Sequence, residues 1–63
     1  MDDDYYFVWV LDRAGKLCPQ VWSVDQFDRP DWQVQHVVTR QLLSQEQRTM
    51  QLDRLAKLYP APS

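Results

Sequence analysis

One cysteine, one histidine and one glycine are all that a chain of 63 residues holds of three residue types on which many compact sites are built. The lone thiol, Cys18, has no partner for an internal disulfide, and no second ligand stands at metal-binding spacing from it. Thiol usage of this kind fits a reducing, cytoplasmic setting without a covalent staple. With Gly15 alone there is no glycine-rich phosphate cradle, because motifs of that type need at least two glycines. No apolar run approaches the roughly 18 residues of a membrane span. The opening Met1-Asp2-Asp3-Asp4 is also unlike the basic-then-apolar pattern of a secretion signal. The expectation is a soluble cytoplasmic protein without a membrane partner.

A basic face is missing too. Seven Lys and Arg against nine Asp and Glu give a net charge of −2 and a pI near 5.0. The basic residues are scattered from Arg13 to Lys57, so the electrostatic footprint of a nucleic-acid binder is not there. The run Asp2-Asp3-Asp4 reads as a solvated acidic lead-in over residues 1–4.

What the chain does have is large side chains. Hydrophobic residues make up 44% of it, including three Trp, three Tyr and two Phe. Each such ring can bury roughly 150–250 Å². A chain this short hides only about 60% of its unfolded surface, which allows one small domain over 1–63 and leaves some rings as contact material.

Tyr5 to Leu11 is the strongest strand signal, an unbroken β-branched, aromatic and aliphatic run. Both of its faces are apolar: Tyr5, Phe7, Trp9 and Leu11 on one, Tyr6, Val8 and Val10 on the other. Gly15 sits where a hairpin loop needs a left-handed residue, so a β-hairpin of about 5–11 and 17–24 is expected. Pro19 assigns the second arm to the edge of the sheet.

Residues 29–43 admit two readings. Asp28-Arg29-Pro30-Asp31 has the features of a helix start, and Val34, Val37, Val38 and Leu42 recur at helical spacing. Yet Trp32, Val34, His36 and Val38 alternate, and Val37-Val38-Thr39 is β-branched, which fits a third strand over 32–39. The helix is the preferred reading, and the strand the runner-up. Ser44 and Gln47 form a capping-box pattern that opens a last helix of about 45–58, ended by Pro60 in a short tail over 60–63. Its core stripe is Leu52, Leu55, Ala56, Leu58 and Tyr59, with Asp53 and Lys57 paired on the outside and Met50 on the outer face. The fold class is α+β: a hairpin packed against one or two C-terminal helices, or a three-stranded antiparallel sheet with one helix.

Catalytic chemistry finds few groups to work with. His36 and Cys18 fall on different elements with no third group to orient them. Cys18-Pro19 is a dipeptide seen in some haem-responsive segments, but two residues carry no specificity, and an inert thiol is the simpler reading. Asp25, Asp28 and Asp31 lack the glycine turn and distal glutamate of a calcium loop and read as caps. No cofactor, metal or catalytic residue is assigned, and an enzyme is not expected. The composition points to a non-catalytic module that binds another protein or a second copy of itself. Such a module would be a small subunit, adaptor or inhibitor, of the size common among bacterial and phage accessory proteins, and possible dimer pairing runs through the first strand. Contacts are expected from Tyr5, Tyr6, Trp9, Trp22, Trp32 and Met50. A nucleic-acid-associated regulator and a sensor or enzyme centred on Cys18 and His36 are the alternatives.

Overall fold

The apolar run near the N-terminus becomes strand β1 (Tyr5–Asp12) in the computed structural model, which describes residues 4–62. β1 turns back into β2 (Leu17–Ser23), with Leu11 opposite Leu17 and Tyr5 opposite Ser23. The loop closes because Gly15 takes a φ of 83°, and the Asp12 carboxylate accepts from the Lys16 amide at 2.8 Å. β2 ends in a short helix, α1 (Val24–Asp28), where the Gln26 side-chain oxygen accepts from the Ser23 amide at 2.8 Å. The Ser-x-x-Gln spacing that signals this start is present in the sequence, although residue 24 was expected to belong to the strand.

Residues 34–42 form a strand, β3 (Val34–Leu42), antiparallel to β1, so the sheet order is β2-β1-β3. The helix expected over 29–43 does not form, and the strand reading holds with its ends shifted from 32–39. Asp28 closes α1 instead of capping a new helix. The Asp31 carbonyl accepts from Val34 N–H at 2.9 Å and its carboxylate from Gln33 N–H at 3.2 Å, a turn that feeds β3. The physical reason for the strand is β1, whose second edge has its hydrogen bonds met by β3. β1 is therefore central, with both edges occupied, which leaves it no free edge for the second copy expected there.

The Ser44–Gln47 capping box forms as expected, with Gln47 N–H donating to Ser44 Oγ at 3.2 Å and Ser44 N–H to Gln47 Oε1 at 3.0 Å. It opens only one 3₁₀ turn (Gln47–Thr49), because Met50 and Gln51 are extended, and α2 (Leu52–Leu58) starts afresh. The break changes the wheel. Met50 packs against Phe7, Leu43 and Leu55 instead of lying on an outer face, while Leu52 and Leu58 of the predicted stripe are exposed. The Asp53–Lys57 pair does not close; among the described residues the one ion pair is Arg48–Asp4 at 3.6 Å.

Each sheet face carries its own core. On one, Val8, Val10, Trp22 and Val34 are buried, with Tyr6 of β1 and Phe27 of α1 packed against them. On the other, Phe7, Leu43 and Leu55 are buried with Trp9, Ala56 and Tyr59 against them. Tyr59 ties α2 down at both ends of its residue: its carbonyl accepts from Trp9 Nε1 at 2.7 Å and its hydroxyl from Gln47 Nε2 at 2.8 Å.

Candidate functional site

Four of the six side chains expected at a contact surface are used inside the molecule. Trp22 is 2% exposed, edge-on to Phe27 at 5.2 Å, with Nε1 donating to Gln20 Oε1 at 2.6 Å. That burial removes it from any docking surface. Trp9 and Met50 are half-buried in the α2-side core, and Tyr6 is half-buried edge-on to Phe27 at 5.2 Å. Only Tyr5 and Trp32 remain outside, at 41% and 73% exposure.

Those two do not meet. Tyr5 opens β1 beneath the Arg48 guanidinium, whose Cζ stands 5.5 Å from the ring centroid. Trp32 lies beyond the other end of β1, where its carbonyl accepts from Arg13 Nε at 2.6 Å and Arg13 N–H donates to the Gln33 carbonyl at 3.0 Å. The intervening strand is roughly 25 Å long at about 3.3 Å per residue. Trp32 is thus an exposed ring apart from Tyr5, held to the β1 end through its backbone.

The surface that lacks cover is β3. α1 packs on β2 from one face, and α2 covers the other face against Phe7 and Trp9 of β1. Along β3 only Val34 is buried and Val37 half-buried; the other seven of its nine residues are exposed, among them the apolar Val38 and Leu42. The strand holds Arg40 and His36 but no carboxylate, in a chain whose net charge is −2.

The register identifies which backbone groups this edge offers. Leu43 N–H donates to the Tyr5 carbonyl at 2.9 Å, which makes that position a hydrogen-bonded pair of the ladder. Alternation then turns the backbones of Gln41 and Thr39 toward β1, opposite Phe7 and Trp9. Arg40 and Leu42, opposite Val8 and Tyr6, turn their N–H and C=O groups outward. Toward the N-terminal end the ladder slips twice, at Val38 and at Gln35, each an extra residue that bends the strand. The regular outer edge is therefore 39–43, bounded by the Val38 bulge and by Ser44, whose amide is already given to Gln47.

Cys18 and His36 are kept apart. Cys18 faces the α1-side core opposite Val10, whereas His36 sits opposite Leu11 on the other face, with β1 between their strands. The sheet thus stands between the two groups of the proposed dyad. Among the described residues there is no cluster of three or more His, Cys, Asp or Glu, and no helix long and apolar enough to cross a membrane.

The molecule is flat, with extents of 32 × 27 × 15 Å. It exposes 4930 Å², where a compact monomer of this mass would expose about 4300 Å². Compared with known families, curated proteins and solved structures, the chain matches none.

Proposed function

We propose that this chain is a non-catalytic interaction module that binds another polypeptide by strand addition at the outer edge of β3. The observation that carries this reading is the bareness of β3: a nine-residue strand, open at its edge and largely exposed on both faces, whereas the other outer strand, β2, is shorter and packs against the helices. An uncovered edge strand is a template for pairing, since its main chain supplies affinity and its alternate side chains supply selectivity. The exposed Leu42 and Val38 provide apolar contacts for an added strand.

Arg40→Pro is the discriminating variant. It deletes an outward N–H and leaves every β1–β3 hydrogen bond in place, a position where edge strands tolerate proline. Immobilised wild-type and Arg40→Pro chains would be used to capture proteins from an extract of the native host. Strand addition predicts at least one species held by the wild type and lost with the variant. Identical captures by both chains would refute it.

A further inference from the structure

The outer edge of β3 is complementary to itself in one register, and we infer that its occupant is a second copy of this chain. The inference rests on the strand-addition reading and adds the identity of the added strand. Continuing a sheet across a two-fold axis normal to it places β3 antiparallel to β3, each residue facing the same side as its opposite number. Only outward-turned residues can then form hydrogen-bonded pairs, which restricts the axis to three positions along 39–43.

Two of the three fail. An axis at Arg40 sets Leu42 against the bulged Val38 of the other copy, where the ladder is irregular. An axis at Leu42 sets Arg40 against Ser44, whose N–H is already held by Gln47 Oε1 at 3.0 Å. An axis at Gln41 meets neither obstacle. Arg40 of each copy pairs with Leu42 of the other, and four backbone hydrogen bonds satisfy every outward N–H and C=O of the regular segment. Thr39 then faces Leu43 of the second copy, so the seam fills the stretch between the Val38 bulge and Ser44 and ends where each interrupts the strand.

Side chains agree with this register. Gln41 meets Gln41 in a non-hydrogen-bonded pair, the closer of the two types, where two carboxamides can donate to and accept from each other. Leu42, 52% exposed in one copy, gains the aliphatic stem of Arg40 from the other. The Arg40 guanidinium is drawn back over Phe27 of its own copy, 5.6 Å from the ring centroid, and Phe27 stands over β1 and β2 against Tyr6 and Trp22. The two positive charges are thus held away from the seam. The helices pack over β1 and β2 and not along the outer edge of β3. Five residues per copy make a short seam, and the dimer it gives is concentration-dependent and not obligate.

Sedimentation equilibrium over a wide concentration range tests the occupant, and cysteine cross-linking tests the register. The wild type is expected to rise from 7.6 kDa toward twice that mass, and Arg40→Pro to stay at the lower value throughout. In a Cys18→Ala background, Gln41→Cys is expected to form an intermolecular disulfide on mild oxidation, because a non-hydrogen-bonded pair brings the two Cβ atoms to about 4.5 Å, the upper limit of disulfide geometry. Thr39→Cys in the same background, four positions from its own copy across the axis, is not. A wild type that remains at 7.6 kDa at every concentration would overturn the second-copy inference. Arg40-dependent capture of a different protein would in that case leave strand addition standing. A dimer that survives Arg40→Pro, or that cross-links equally through Thr39→Cys, would also overturn it.

Discussion

The two outer strands of this sheet are built in opposite ways. β2 is seven residues long, carries Pro19, places Trp22 in the core and lies beneath both helices. β3 is nine residues long, buries one side chain and is held almost wholly by its ladder to β1. A short edge with a proline is a protected edge. β3 has some protection from its two bulges, but they leave 39–43 regular and open. The contrast teaches that stability and availability have been separated: the apolar payload is concentrated on β1, β2 and the helices, and the third strand completes the ladder while keeping its outer side free.

The comparison can be broken most severely through the α2-side core. Phe7→Ala removes a ring that is 1% exposed beneath Leu43 and Leu55. It is expected to destabilise by about 3–5 kcal/mol in a urea melt, enough to unfold many domains of this size. Leu42→Ala on bare β3 should move the same melt at low protein concentration by less than about 1 kcal/mol.

A proline pair sharpens the edge itself. Gln41→Pro deletes a donor directed at β1 and is expected to cost about 1–3 kcal/mol from the unpaired carbonyl alone. Arg40→Pro, one residue away, removes only an outward donor and the Arg40–Phe27 contact, and should cost about 1 kcal/mol or less. Equal losses for the two would mean that the alternation of the ladder is not the one described.

Smaller effects distinguish the half-buried Trp9 from the exposed Trp32. Trp9→Phe keeps the ring against Phe7 but loses the 2.7 Å bond to the Tyr59 carbonyl, an expected cost of about 1 kcal/mol with earlier hydrogen exchange in α2. Trp32→Ala, at the exposed end, should shift stability by no more than about 0.5 kcal/mol, since the Arg13 contact there is to the backbone.

The hairpin, its Gly15 turn, the edge position of Pro19 and the Ser44–Gln47 box were legible from residue types, because each rests on local stereochemistry. β3 was misread for a definite reason. A residue inserted at Gln35 and another at Val38 leave Val34, Val37 and Arg40 on the α1-side face, three apart instead of two. Two bulges thus stretch a strand's period of two into one that resembles a helix turn. The absence of any acid between Trp32 and Glu46 was visible, but only the register gives it a place on an edge. Met50 was misplaced because nothing local marks the break at Met50-Gln51, which the packing of Leu55 and Tyr59 on Phe7 imposes. The contact surface was sought among rings, and most of those rings proved to be needed inside.

The distribution of the three indoles has a practical consequence. Trp22 is sealed in one core, Trp9 lines the other with its nitrogen tied to Tyr59, and Trp32 stands in water. The chain therefore carries a spectroscopic reporter for each of its layers and one for bulk solvent, without any dye. Removing Trp32 would leave an emission spectrum that reports only on the two interiors, and a soluble collisional quencher would then read out how often each of them opens.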